Sequence, residues 1–231
     1  TDEFTRDEQQ YQAMSYLDEL YHQLNSSVEQ KKGFFSFLKA KPVAPKGLYM
    51  WGGVGRGKTW MMDLFYDSLT IERKMRQHFH HFMLRVHQEL NNLQGQSDPL
   101  EKVADIIYAE AVIICFDEFF VSNVSDAMIL GDLFTMLFNR GVTLVATSNI
   151  EPSGLYKDGL HRDRFMPAIA EVERHTTVMN IDSGIDYRLR VLQQAELYES
   201  PLTKANHHWL ANRFASLSNN QKISNEPITI N

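Results

Sequence analysis

The chain has 231 residues, 43% of them hydrophobic and 23% charged, which is enough apolar content to bury a full core as one large domain with a small appendage. A net charge of −6 and a pI near 5.8 argue against an overall electrostatic grip on nucleic acid, so no nucleic-acid partner is expected, although a local basic patch stays open. The single cysteine, Cys115, excludes an intrachain disulfide and suits a reducing cytosol; no apolar run approaches the ~18 residues of a membrane span, and the acidic start is unlike a signal peptide.

At the N-terminal end, Thr5 or Asp7 is placed to cap a helix running to about Asn25, with Tyr11, Met14, Leu17, Tyr21 and Leu24 as an apolar stripe read as core contact. From Lys31 to Lys46 the chain holds five lysines, three phenylalanines and no acid. Such a stretch can adsorb to an anionic lipid surface, at about 1 kcal/mol per basic residue near the membrane; a solvated loop whose phenylalanines tuck into the domain is the preferred reading. Pro42 and Pro45 mark a linker into the first strand.

The next segment carries the chemistry. Residues 47–51 form a short apolar run, and Gly52, Gly53, Val54, Gly55, Arg56, Gly57, Lys58 and Thr59 follow, ahead of an apolar helix. The pattern Gly-x4-Gly-Lys-Thr lets backbone N–H groups of a tight loop and the first helical turn converge on nucleotide phosphates. Side chains there would collide with the ligand, so Gly53, Gly55 and Gly57 are expected to supply positive φ and close approach. Lys58 would set one ammonium against the β and γ phosphates of ATP, and the Thr59 hydroxyl is the expected Mg²⁺ ligand. An ordinary glycine turn capping a helix is the bland alternative, and the residues downstream weigh against it.

The helix after the loop is expected to reach about Leu69 and to turn Met61, Leu64, Phe65 and Leu69 toward a sheet. A strand near 77–82 and a helix to about Leu93 come next. His78 and His80 share a face there, but no cysteine or carboxylate nearby completes a tetrahedral set, so they are read as structural or partner-facing. Pro99 starts the following helix.

Residues 111–118 form a continuous apolar run closed by Asp117 and Glu118, as expected of a buried parallel strand. Ligands of open α/β sheets sit at that strand edge. Asp117 would hold the metal shell, and Glu118 would polarise the water that attacks phosphorus. A helix over 125–138 leads to a second buried strand, 142–149, which ends in Ser148 and Asn149. The Asn149 amide is placed to orient the attacking water, although asparagine also favours turns for local reasons. Beyond it, Arg162 and Arg164 have no evident i,i+4 carboxylate partner except Asp158. Guanidinium groups suit phosphate, and in hydrolases of this kind an arginine from a neighbouring subunit neutralises transition-state charge, a contribution of roughly 10³ to 10⁵ in rate. Arg164 is the favoured candidate, and Arg162 is balanced between that role and a solvated or Glu171- or Glu173-paired turn. Residues 176–181 are read as the last core strand and 203–217 as an amphipathic helix of a partial lid. Alternating strands and helices make this an α/β chain with a parallel sheet covered on both faces.

The motifs WGGVGRGKT, CFDEF, LVATSN and HRDRFMPAI, with residues 79–87 and 186–190, resemble the signature of the ZapE family of AAA+ ATPases, which groups bacterial division-associated ATPases with mitochondrial Afg-type relatives. The match runs from about Leu17 to Leu202. The resemblance implies a P-loop NTPase of the AAA+ type, with a five-stranded parallel sheet sandwiched by helices, an N-terminal helix and a partial helical lid. It divides the chain into 1–46, a helix and basic linker; 47–185, the ATPase core; and 186–231, a lid region expected to be truncated, in which no sensor-2 arginine is assigned. It further implies ATP and Mg²⁺ as cofactors, a homo-oligomeric ring, and a cytoplasmic ATPase near the inner membrane that acts on the division ring, with the tubulin-like protein FtsZ as partner. The rivals are a P-loop kinase, a helicase-loader-like adaptor binding single-stranded nucleic acid, and a nucleotide-gated binding module with negligible turnover.

Overall fold

A computed structural model describes residues 7–31 and 44–182, which all fall within one compact unit. Thr5, most of the basic stretch (32–43), Arg188, Arg190 and the expected lid helix lie outside the described residues.

Asp7 caps the first helix, α1 (Glu8–Lys31), its carboxylate accepting the backbone N–H groups of Gln9 and Gln10 at 3.1 and 3.3 Å. The helix runs past Asn25, and its buried stripe is Ala13, Leu17, Leu20 and Leu24, spaced four, three and four apart as a helical face requires. The expected stripe was rotated: Tyr11 is half exposed, because small Ala13 faces the core where the bulky tyrosine had been favoured.

Among the described residues five strands follow: β1 (Gly47–Trp51), β2 (Lys74–His78), β3 (Ile113–Asp117), β4 (Thr143–Ser148) and β5 (Thr176–Asn180). They form one parallel sheet in the order β2-β3-β4-β1-β5. Between them lie α2 (Lys58–Ser68), α3 (Phe79–Asn92), α4 (Pro99–Glu110), α5 (Val124–Asn139) and α6 (Arg162–His175).

Successive strand residues point to opposite faces, which splits the core in two. Leu48, Met50, Ile113, Cys115 and Val145 meet α1 and α2. Tyr49, Ile114, Phe116, Leu144 and Ala146 meet the buried faces of α3 to α6. Burying both sheet faces is what makes these strands read as unbroken apolar runs. Leu17 is 1% exposed in the first of these layers. Leu17→Ala is expected to cost about 2–5 kcal/mol of stability, and a urea-denaturation midpoint unchanged from the parent chain would contradict the packing of α1 on the sheet.

Three expectations are corrected. The second strand is Lys74–His78, ahead of the expected 77–82: it is an edge strand of polar, half-buried residues, while Phe79 and Phe82 belong to the buried face of α3. Leu64 is 47% exposed, and Met62 takes its place in the core. Arg162 and Arg164, for which a solvated basic turn is the alternative reading, lie instead in the first turn of a helix, α6, because Phe165, Ala168, Ile169 and Val172 make a buried helical stripe behind the charged residues. α6 packs on α5 at Gly131, where an added Cβ would lie 3.3 Å from Pro167 Cβ. Among the described residues no helix is long and apolar enough to cross a membrane.

Candidate functional site

β1 delivers the glycine loop to the C-terminal edge of the sheet, and α2 begins at Lys58. The backbone turns through positive φ at Gly52 (139°), Gly55 (80°) and Gly57 (77°), conformations that favour glycine. Gly53 does not share them. It is crowded instead, since an added Cβ would stand 3.3 Å from Asp182 Oδ2, a tight contact. The first N–H groups of α2 have no partners within the helix and carry the positive end of its dipole, which suits an anion above Lys58 and Thr59.

Lys58 is only 8% exposed. Its Nζ donates to the carbonyl oxygens of Gly52 and Gly53, both at 2.7 Å, and to Asn149 Oδ1 at 3.5 Å. The last contact joins the loop to the end of β4, the strand lying between β1 and β3. The site therefore spans three adjacent strands: loop on β1, amide on β4, acids on β3.

Asp117 ends β3 and is 8% exposed. Both its oxygens accept from Arg76, which donates through Nε at 2.8 Å and Nη2 at 3.3 Å. Arg76 also meets Asp63 Oδ1 at 2.5 Å. Burial pulls the Arg76 guanidinium toward release of its proton, but the hydrogen bonds to Asp117 and Asp63 outweigh that pull and hold its pKa above the ordinary arginine value. Cys115, two residues earlier, is fully buried, and desolvation pushes its thiol up to about 12, which leaves it inert as a nucleophile.

Glu118 leaves the strand with φ at 54°, unusual for a residue with a side chain. β4 holds it there. Thr147 Oγ1 accepts the Glu118 N–H at 3.2 Å, Thr147 O accepts the Phe119 N–H at 2.7 Å, and Ser148 Oγ donates to Phe119 O at 2.8 Å. The sharp turn throws the Glu118 side chain outward, 82% exposed, with Oε2 3.8 Å from His78 Nδ1. His78 ends β2 while His80 lies in the first turn of α3, so the two do not share one strand face as expected.

The arginines part company. Arg162 Nη2 donates to Ser153 O at 2.7 Å, so this guanidinium ties α6 to its own preceding loop. Arg164 is exposed; its backbone N–H donates to His161 O, and its guanidinium has no partner among the described residues. Glu171, once a candidate partner, pairs with Arg174 and His175 instead. Within one chain, no described contact joins Arg162 or Arg164 to Lys58, Asp117, Glu118 or Asn149.

Several participants were not legible in the sequence. Arg56 is held at its guanidinium by Asp182 (3.0 Å) and at its carbonyl by Gln10 Nε2 (3.0 Å), so α1 and the chain leaving β5 both brace the loop. Arg76, Asp63 and Thr147 emerge only from strand adjacency. A register argument could have found Arg76, since it sits two residues before the position paired with Asp117.

The donors suit magnesium. Thr59 and Asp117 offer a hydroxyl and a carboxylate, hard oxygens of the kind Mg²⁺ takes alongside water and phosphate. Among the described residues no group of three or more His, Cys, Asp or Glu forms a protein-only metal cage, and a cation carried with a triphosphate needs only one or two protein oxygens.

A model of the AFG1-like ATPase family matches residues 1–231. The chain is 50% identical over 238 aligned residues to cell division protein ZapE of Escherichia coli (strain K12), covering 97% of this chain and 63% of that protein. It is 44% identical over 167 residues to lactation elevated protein 1 homolog B of Danio rerio, covering 68% of this chain and 33% of that one. Among solved structures it is similar to AMPPCP-bound DnaA from Aquifex aeolicus, with a TM-score of 0.55 and 13% identity over 94% of this chain and 64% of that chain. At that identity the likeness speaks for the fold, the parallel sheet of P-loop AAA+ proteins.

Proposed function

The chain belongs to the AFG1-like ATPase family, and from that premise we propose that it hydrolyses ATP with Mg²⁺ and couples its nucleotide state to remodelling of a protein partner, the FtsZ ring of bacterial cell division. One observation carries the chemical half of this reading: the Lys58 ammonium touches both the glycine loop and Asn149, while Asp117 and Glu118 leave the adjoining strand at the same sheet edge. The choice of partner follows from the similarity to ZapE, of whose length the chain spans 63%.

The loop amides and the start of α2 grip the phosphates, and Lys58 exchanges the Gly52 and Gly53 carbonyls for β and γ phosphate oxygens. Bound Mg²⁺ offsets charge on those oxygens. Thr59 and Asp117 would hold that cation. Glu118 takes the proton of the attacking water, and Asn149 orients that water. Arg164, unpaired in its own protomer among the described residues, reaches the γ phosphate of a neighbour, so the site is completed by assembly into a ring. Recruitment to the division site on the cytoplasmic side of the inner membrane completes the proposal.

The test is ATP turnover with and without FtsZ filaments, alongside molar mass with and without nucleotide. Turnover into water, assembly in ATP and a rate or filament length altered by the partner are expected. Turnover only with an added small-molecule acceptor would favour a kinase, and tight ATP binding without any turnover would favour a nucleotide-gated module. Salt-sensitive DNA binding with no response to FtsZ would favour a helicase-loader-like role.

A further inference from the structure

We propose that Arg76 is a positioning residue that sets the span between the Thr59 hydroxyl and the Asp117 carboxylate, and through it the metal affinity of the nucleotide site. The inference rests on the reading that those two oxygens face Mg²⁺. Arg76 belongs to the edge strand β2, outside the loop and the acid pair, yet its guanidinium reaches both elements that carry the metal-facing oxygens. Nε and Nη2 fork onto Asp117 at the end of β3, and Nη2 holds Asp63 on α2. Asp63 lies four residues after Thr59, one helical turn along the same face. α2 grows from β1, and β4 separates β1 from β3, so no strand pairing fixes α2 against Asp117. Ile113 and Cys115 of β3 pack against α2 in the core, and the Arg76 fork adds a polar tie at the sheet edge where the two oxygens lie. The side chains involved are 19% exposed for Arg76, 12% for Asp117 and 50% for Asp63, so the inner bond is shielded from solvent and the outer one less so.

Only arginine offers two rigid, parallel donors to one carboxylate together with a third contact; lysine is a point charge. Groups that orient a metal ligand from behind typically change metal affinity by about 10- to 100-fold when lost. Positioning is also separable from charge. If Arg76 merely added positive charge near the cation, its removal would strengthen metal binding.

The experiment is calorimetry of AMPPCP binding in millimolar Mg²⁺ and in chelator, with the Kd in chelator divided by the Kd in Mg²⁺ as readout. In Arg76→Lys and in Arg76→Gln that ratio is expected to shrink about tenfold or more, with the chelator Kd unchanged. Asp63→Asn should act in the same direction with a smaller effect. A wild-type ratio in Arg76→Lys, or a larger ratio in Arg76→Gln, overturns the proposal. If both Arg76 variants fail to fold, Asp63→Asn decides, and a wild-type ratio there overturns it. Asp117→Asn is the control: a wild-type ratio in that variant sinks the metal-facing reading itself, whereas a reduced ratio beside an unaffected Arg76→Lys sinks only the role of Arg76.

Discussion

Arg164→Ala should lower ATP turnover by roughly 10³- to 10⁵-fold while leaving nucleotide affinity unchanged. The residue sits in the first turn of α6, which Phe165, Ala168 and Ile169 anchor in the core, so its backbone is fixed. The side chain is exposed and has no partner among the described residues. A long cation held out from a rigid helix fits a neighbour's phosphate better than it fits any site on its own chain. Arg162 is engaged with Ser153 O, and its loss should act mainly on the loop ahead of α6. If the site is shared, specific activity rises with protein concentration. Mixing Arg164→Ala with Glu118→Gln should then recover part of the turnover, because each variant supplies what the other lacks. A rate independent of concentration, with no recovery on mixing, would remove Arg164 from the role.

Glu118→Gln should retain ATP and lose turnover by roughly 10²- to 10⁴-fold, the usual weight of general-base catalysis. Glutamine keeps the shape of the side chain but cannot take up the proton of the attacking water. The two acids are placed differently, and the exposed one is the candidate base. Asp117 is buried against Arg76, whereas Glu118 is thrown outward by a left-handed turn that Thr147 and Ser148 of the adjacent strand hold in place. Backbone held in a sparsely populated region at a ligand edge is a recurring mark of functional residues. Single-turnover hydrolysis at the wild-type rate in Glu118→Gln would assign the base elsewhere.

The strands were legible where both faces are buried. β1, β3, β4 and β5 stand within two residues of where their apolar runs place them, because helices on both sides leave no reason for polar alternation. β2 was misplaced for the opposite reason, an edge strand of lysine, arginine and glutamine having little apolar signal. α6 was missed because its charged first turn and internal Pro167 mask a buried stripe of four residues. At the site, the glycine loop and the acid pair announce themselves through local chemistry. Arg76, Thr147 and Asp182 do not, because their roles come from which strands are neighbours, and parallel sheet order is a long-range property of the fold. The loop glycines show the same limit on a small scale: Gly52 takes the positive φ expected of Gly53, whereas Gly53 is crowded by Asp182.

The most direct measurement is calorimetric titration of the chain and of its Lys58→Ala variant with ATP and Mg²⁺. The buried ammonium holds the loop and Asn149 together and would meet the β and γ phosphates, so truncating it should weaken binding by at least about 2 kcal/mol, roughly thirtyfold, with the fold intact by circular dichroism. Equal affinity for ATP in the two proteins would contradict the phosphate cradle at Lys58, and with it the ATPase reading.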